Sequence, residues 1–325
     1  NTIAYWVPGT TGNLYDSITG GTWEYYIPPA AAYFSTVVAL DIVYPSLTPD
    51  QRSTAESRLE VVHNKYWNTS ANWDVGVWGA RGIWPLYKNS SQLSTAANEY
   101  YKCLMGTLTS AGYLTDDGIC TSGVGYSNIR FSGDRHTKQY FMDVLTHAGI
   151  YDYYNDYKMK NFYEWLYGYS ATPFKTQWTF GDTYFGNSYY TVGSIWKADN
   201  FSTDAAKGAA NILGSTVPRG RVFTYVLHKT PYPTGQKPPS KIFADGGAFF
   251  NENSAASTAL SSVLWNPKSS RDDHCHKDVN SLGLAGYGEY LLANVGYNGW
   301  GAALSTGGYT FSWNYINKRA VSNNT

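Results

Sequence analysis

The signals for secondary structure change once along the chain, near Pro218, and this change limits the possible folds more than any other feature. Before it, the segments typical of helices are Ala30–Tyr44, a segment that begins at Thr48, Leu93–Leu108, Thr137–Tyr154, Lys158–Tyr167 and Thr203–Leu213. After it, the segments typical of strands are Lys241–Asn251, Ser257–Trp265, Ser281–Tyr287 and Glu289–Val295. Helices followed by strands favour an α+β fold with a helical domain and an antiparallel β domain, not alternating βαβ units.

Thr48-Pro49-Asp50-Gln51 marks the clearest helix start, because Thr48 can cap the helix, Pro49 suits the first helical position and Gln51 can complete a capping box. Loops rich in Gly, Asn, Ser and Asp, predicted at Trp73–Gly82 and Asp116–Gly125, separate the helices. Successive amphipathic helices joined in this way favour helical hairpins packed side by side.

We therefore predict a helical domain over residues 1–217, a linker over 218–240 and an antiparallel β domain over 241–325. The run Pro231-Tyr232-Pro233-Thr234-Gly235-Gln236-Lys237-Pro238-Pro239 cannot form regular structure, which supports the linker.

Composition excludes two classes of partner. The 325 residues include 24 Lys and Arg against 24 Asp and Glu, so the chain lacks the excess positive charge with which proteins bind nucleic acids. Ala30–Tyr44 is interrupted by Ser35, Thr36 and Asp41 and predicts a core helix rather than a membrane span.

The 12 Trp, 30 Tyr and 13 Phe are typical of surfaces that stack on sugar rings, although an aromatic core accounts for many of them. The sequence gives no indication of oligomeric state.

Several features indicate a secreted protein. The chain starts at Asn1 without a targeting segment, so we expect any such segment to have been removed or to lie outside this sequence. Asn68, Asn89, Asn200 and Asn323 each begin an N-x-[ST] glycosylation motif. Cys103 and Cys120 have a spacing that suits a disulfide, which would leave Cys275 unpaired.

The densest group of reactive side chains is Asp272-Asp273-His274-Cys275-His276-Lys277-Asp278. In an extended segment alternate side chains point the same way, so His274, His276 and Asp278 can converge. Such a group suits a divalent metal or a role in proton transfer and charge neutralisation. A polar turn that is rich in histidine is the alternative.

The run from His274 to Gly296 resembles the start of the β domain of heparinase II/III-type polysaccharide lyases, a group that extends to chondroitin AC and alginate lyases. It shares the H-x-H-x-D-x-x-S segment that leads into a two-stranded hairpin. Phe243–Phe250 resembles the first strand of the same domain. The resemblance implies an incomplete (α/α) toroid of helical hairpins followed by antiparallel sheets.

The resemblance also assigns roles to residues of the helical half. Asn72 corresponds to the family's carboxylate-neutralising residue, and Tyr126, with Arg130 four residues later, corresponds to its catalytic tyrosine and neighbouring arginine. His274 would join Asn72 on the carboxylate. Tyrosine has a reference pKa of about 10, which a nearby cation such as Arg130 lowers. Taken singly, Asn72 could equally cap a loop, Tyr126 could be a packed aromatic and Arg130 a solvated charge.

Further residues are expected to contact substrate or metal. Trp73, Trp78 and His136 are candidates for the wall of the cleft, although His136 could instead start a helix. The family's metal-binding Asp is replaced by Asn294, a neutral and poorer ligand. No histidine follows His276 to complete a His/Asp/His site, so no cofactor is certain, and a zinc or calcium ion near His276 and Asn294 is left as one alternative.

These observations predict a lyase that cleaves an acidic, uronate-containing polysaccharide or oligosaccharide by β-elimination. One alternative is a non-catalytic carbohydrate-binding protein on a lyase scaffold. Another is a toroid-fold glycoside hydrolase, although the adjacent pairs Asp116-Asp117 and Asp272-Asp273 diverge in an extended segment, whereas glycosidases hold two carboxyls about 5–10 Å apart.

Overall fold

The computed structural model describes residues 23–68, 74–106, 112–127, 137–181, 183, 185, 238–268, 276, 278–294, 296, 304–306 and 309–311. The helices are α1 (Trp23–Val43), α2 (Pro49–Asn68), α3 (Asp74–Lys88), α4 (Gln92–Met105), α5 (Gly123–Ser127), α6 (Thr137–His147) and α7 (Tyr157–Gly168), with short 3-10 turns at Tyr44–Ser46 and Tyr153–Asn155. The strands are β1 (Lys241–Phe243), β2 (Gly247–Asn251), β3 (Ser261–Trp265), β4 (Ser281–Gly286), β5 (Glu289–Leu292), β6 (Leu304–Thr306) and β7 (Tyr309–Phe311).

Strands β1 to β5 form one antiparallel sheet in sequence order, and β6 pairs with β7. The predicted α+β class is therefore confirmed, while the incomplete (α/α) toroid of helical hairpins stays a prediction. Of the predicted helices, Thr203–Leu213 lies outside the described residues.

The chain forms two compact units, and the division between them does not separate the helices from the strands. The first unit comprises Asn1–Leu104 and Gly133–Asp152, and the second comprises Met105–Ser132 and Tyr153–Thr325. The second unit therefore contains α5 and α7 together with the five-stranded sheet. The predicted linker over 218–240 lies almost entirely outside the described residues, so the predicted domain limits stay predictions.

Helix α2 begins as its sequence predicts. The backbone N–H of Gln51 donates to the Thr48 hydroxyl at 3.3 Å, and the N–H of Thr48 donates to Gln51 Oε1 at 2.9 Å. These reciprocal bonds form the capping box and satisfy two N–H groups that no carbonyl inside the helix can reach.

The predicted core helix Ala30–Tyr44 lies almost entirely within α1 and is confirmed as a core element. Tyr33, Phe34, Val37 and Leu40 are all buried. None of the helices in the described part of the chain has the length and apolar character needed to cross a bilayer.

The loop predicted at Trp73–Gly82 is wrong, because Asp74–Lys88 forms helix α3. The three glycines of this segment do not break the helix, and one of them, Gly82, serves helix packing. A Cβ atom on Gly82 would lie only 2.0 Å from the Phe141 ring of α6, so only glycine lets these two helices approach so closely. The loop predicted at Asp116–Gly125 is correct except at its end, where α5 begins.

Helix α6 ends seven residues before the predicted Tyr154, at His147, and a Schellman motif terminates it. Gly149 has a φ of +69°, its N–H donates to the Thr146 carbonyl, and the Ile150 N–H donates to the Leu145 carbonyl. Glycine tolerates this left-handed conformation, and the helix stops there.

The predicted strands form the sheet, with one division. Lys241–Asn251 forms two strands joined by a turn at residues 244–246. The predicted hairpin of β4 and β5 is confirmed, and Tyr287 and Gly288 at its tip have φ values of 57° and 86°. Positive values at both positions are those of a type I′ turn, whose twist matches that of the paired strands.

The sheet packs against α7 and the residues after it through aromatic side chains. The Trp165 and Trp265 ring centroids lie 6.2 Å apart, and the Tyr169 ring lies 5.3 Å from Phe243 and 5.7 Å from Phe249. A second connection joins the loop before α5 to the β1–β2 turn, where the Asp245 N–H donates to Asp117 Oδ2 at 2.6 Å. Together these contacts fix the α5 region relative to the sheet.

Replacing Gly82 by Ala is expected to destabilise the protein by about 1–3 kcal/mol, because the added methyl group overlaps the Phe141 ring. This loss outweighs the gain of about 1 kcal/mol that Ala gives in an exposed helix. Urea denaturation measures the change. The double variant G82A/F141L should lose less unfolding free energy than the sum of the losses in the two single variants. Losses that simply add would contradict this packing.

Protonation of His63 is expected to destabilise the fold at mildly acidic pH. Burial lowers the pKa of His63, whose Nε2 lies 3.0 Å from Gln92 Oε1. The unfolded chain therefore takes up the proton first, and stability is lost as pH falls from about 6.5 towards the lowered pKa. His63→Gln should show a smaller fall in unfolding free energy between pH 7.5 and 5 than the wild type. His147→Gln, at an exposed histidine of α6, is the control and should keep the wild-type fall.

Candidate functional site

Three of the elements singled out by the sequence meet around one short segment of the second unit. We call residues 178–181 together with Thr183 the central segment. Helix α5, which carries Tyr126, contacts it, as do Asp278 of the histidine segment and the turn at Asn294–Gly296.

Helix α5 is bonded to the central segment by one hydrogen bond, and the two backbones approach each other closely. The N–H of Gly125, next to Tyr126, donates to the Thr183 hydroxyl at 2.8 Å. A Cβ atom on Gly123 would lie 2.1 Å from the Phe180 carbonyl oxygen, and one on Gly181 would lie 2.5 Å from that of Ser122. Gly123 and Gly181 also have positive φ values of +86° and +58°. Both positions therefore require glycine for conformation and for space.

Asp278 also fixes the central segment, through a hydrogen bond to Gly181. Its Oδ2 accepts the N–H of Gly181 at 2.8 Å, and the residue is 2% exposed. Burial raises the pKa of Asp278, while the Gly181 N–H, the charge of His276 and a hydrogen bond from the Trp265 side chain oppose that rise. The carboxyl thus holds backbone in place inside the protein.

Asn294 completes a turn against the same segment. Its carbonyl accepts from the Thr179 hydroxyl at 3.0 Å, and its side-chain Oδ1 accepts from the Gly296 N–H at 3.3 Å. A Cβ atom on Gly296 would lie 2.6 Å from the Thr183 carbonyl oxygen. Asn294 is buried, and its Oδ1 serves the bond to Gly296, while its Nδ2 has no hydrogen-bond partner within the described part of the chain.

The described residues do not fit the expected zinc or calcium ion. Asn294 offers a single neutral oxygen, Oδ1, which accepts the Gly296 N–H at 3.3 Å, and its Nδ2 is a donor that cannot ligate a cation. His276 is buried, but within the described residues no group of three His, Cys, Asp or Glu side chains could hold an ion.

The remaining predicted site residues stay predictions. Asn72, Trp73, Arg130, His136 and His274 lie outside the described residues, and Tyr126 is described by its place in α5. Trp78 is half-buried on α3 in the first unit, where the Arg81 guanidinium lies 4.3 Å from the centre of its ring. That cation covers one face of the ring, and contact of Trp78 with a sugar stays a prediction.

The predicted disulfide is not formed. Cys103 is half-buried on α4, and Cys120 is buried, with its backbone paired to that of Leu114 in an isolated antiparallel β-bridge. Both cysteines are thiols. Spacing along the chain sets neither the distance between two Cα atoms nor the direction of their Cβ atoms, and both must suit a disulfide. Cys275 lies outside the described residues.

Two of the predicted glycosylation sites are described. Asn68, the last residue of α2, is exposed, as is Asn89, whose φ of 49° places it in the turn after α3. Exposure is required for glycan attachment but does not establish it, so these sites stay predictions. Asn200 and Asn323 lie outside the described residues.

The sequence did not single out the central segment. Gln177-Trp178-Thr179-Phe180 alternates polar and apolar residues, a pattern typical of a strand with one exposed face, yet all four residues are buried. A five-residue helix such as α5 needs support from outside itself to be stable. The sequence predicted a loop at Asp116–Gly125, so it offered no signal that such a supporting segment exists.

The fold is similar to that of bacterial heparinases. No protein-family model matches the sequence, and no curated protein matches it in sequence. Heparan sulfate lyase HepC from Pedobacter heparinus superposes with a TM-score of 0.55 at 12% identity over 92% of this chain and 48% of its own. A heparinase III gives 0.53 at 12% identity over 84% and 43%, and the heparinase III BT4657 gene product gives 0.51 at 14% identity over 85% and 42%.

At these identities the likeness shows the fold alone. The chain spans less than half the length of each of these structures. The predicted resemblance to heparinases is thus confirmed at the level of the scaffold.

Asp278→Ala is expected to destabilise the protein by about 1–3 kcal/mol, because it leaves the buried Gly181 N–H without its acceptor. Asp278→Asn keeps an oxygen at that position and removes a charge that burial disfavours, so its loss should be below about 1 kcal/mol. Urea denaturation of both variants distinguishes the effects. Equal losses would show that the hydrogen bond is not what Asp278 contributes.

Proposed function

We propose that this protein is a polysaccharide lyase that cleaves a uronate-containing glycan by β-elimination. The observation that carries the proposal is that α5, with the predicted catalytic Tyr126, and the predicted histidine segment are bonded to the same central segment. The heparinase-like scaffold supports it further.

The reaction explains the residue types. In the proposed mechanism the Tyr126 phenolate takes the C5 proton of the uronate, the C4–O bond breaks, and a C4=C5 double bond forms. The same tyrosine then returns the proton to the departing oxygen, so that the enzyme ends as it began. Asn72 and His274 neutralise the C6 carboxylate, which stabilises the charge that develops when C5 loses its proton. Arg130 lowers the pKa of Tyr126 by favouring the phenolate.

Which uronate polymer the protein cleaves is to be determined by comparing activities on several polymers. The zero formal charge favours no heavily sulfated chain over an alginate-like or glucuronan-like one. Heparan sulfate enters the panel because one structural neighbour is a heparan sulfate lyase.

We further propose that the protein is a secreted glycoprotein, with a helical domain over 1–217 and a β domain over 241–325.

Incubation with uronate polysaccharides should generate absorbance from the unsaturated C4–C5 product. Tyr126→Phe keeps the ring and removes the phenolic oxygen that takes the C5 proton and returns it, so activity should fall by at least about a hundredfold. Tyr87→Phe is a matched control in the first unit, where the Tyr87 hydroxyl donates to Glu56 at 2.7 Å, and it should keep activity. Full activity of Tyr126→Phe would reject Tyr126 as the proton-transfer residue.

A non-catalytic carbohydrate-binding protein is the second candidate. The observation that favours it is Asn294, whose side chain completes a turn where the family has a metal-binding Asp. Binding to a glycan array without any product would favour this function. Saturated reducing ends as the only products would instead favour a glycoside hydrolase.

A further inference from the structure

We infer that Thr183 is a positioning residue for Tyr126, which it holds through the backbone of α5. The inference rests on the proposed function, because it gives Tyr126 its importance. Thr183 is fully buried and lies 58 residues after Gly125 in sequence, so no local pattern links the two.

The bond between them supplies what a short helix lacks. Gly125 is the third residue of α5, and N–H groups in the first turn of a helix have no carbonyl partner inside the helix. The Thr183 hydroxyl accepts that N–H at 2.8 Å, as a capping side chain does, but from a distant part of the chain. At the other end, the Ser127 hydroxyl donates to the Gly123 carbonyl at 2.7 Å, which closes the single turn.

The orientation of the Thr183 hydroxyl is fixed. Its proton is donated to the Phe180 carbonyl at 2.7 Å, so an oxygen lone pair is directed at Gly125. The backbone N–H of Thr183 donates to the Gly181 carbonyl at 2.7 Å, and Gly296 packs against the Thr183 carbonyl. Thr183 is thus bonded on several sides and cannot shift without disturbing the central segment.

The same segment connects α5 to the histidine segment. Gly181 donates to Asp278, two residues after His276, while Thr183 accepts from the residue before Tyr126. Two hydrogen bonds and one short stretch of backbone therefore relate the two groups of predicted catalytic residues. A misplacement of about 1 Å in such a relation can cost a hundredfold in rate.

The test compares Thr183→Val, which keeps the shape but removes the acceptor, with Thr183→Ser, which keeps the hydroxyl. On the best uronate polymer, Thr183→Val should lower kcat by at least about tenfold with KM within about twofold, and Thr183→Ser should stay within about threefold of the wild type. Thr176→Val is the matched control, since Thr176 donates to the Tyr290 hydroxyl at 2.9 Å and belongs to no predicted site.

Native-state hydrogen exchange of residues 123–127 gives a readout that does not depend on activity. Exchange of the Gly125 amide should accelerate about tenfold in Thr183→Val but not in Thr183→Ser or Thr176→Val. Where valine prevents folding, Thr183→Ala takes its place with the same criteria.

Wild-type activity in Thr183→Val, or equal losses in the Val and Ser variants, would overturn the inference. If the wild type cleaves no uronate polymer, the proposed function fails. The exchange comparison then decides alone whether Thr183 holds α5, and unchanged exchange would overturn that as well.

Discussion

The close approach of backbone at Gly123 and Gly181 is the constraint on which the candidate site depends. At each position a Cβ atom would lie within 2.5 Å of a carbonyl oxygen of the facing segment, and each residue has a positive φ. Such contact leaves no room for side chains between the two segments, so hydrogen bonds determine how they align. Thr183 provides the bond from the central segment to α5, and Asp278 provides the bond from the histidine segment to Gly181.

This constraint explains why α5 and the sheet belong to one compact unit although they are far apart in sequence. Trp165 of α7 and Tyr169 just after it pack against aromatic side chains of β3 and β1, and Asp117 joins the loop before α5 to the β1–β2 turn. Rigid support of this kind is what acid–base chemistry by a single tyrosine requires, since proton transfer needs groups within hydrogen-bond reach.

Local features were readable from the sequence because neighbouring residues cause them. The capping box at Thr48 and Gln51 depends on residues three positions apart, and it forms as predicted. The turn type at Tyr287-Gly288 was not predicted, although it too depends on neighbouring residues. Gly149 could have marked the end of α6 by the same reasoning. Features that depend on tertiary contact were not readable. The glycines of α3 suggest a loop until the Phe141 ring is seen beside Gly82, and the spacing of Cys103 and Cys120 carries no information on geometry. Thr183 is the extreme case, because its partner lies 58 residues away.

The central claim is that this scaffold breaks glycans by elimination, and the fate of solvent oxygen tests it most directly. The wild-type protein is incubated with uronate polysaccharides in ¹⁸O-labelled water, and the new ends are analysed by mass spectrometry. Elimination breaks the C4–O bond without adding water, so the account predicts unsaturated products that are lighter than hydrolysis products by one water and contain no ¹⁸O. Saturated products with ¹⁸O at the new reducing end would contradict it.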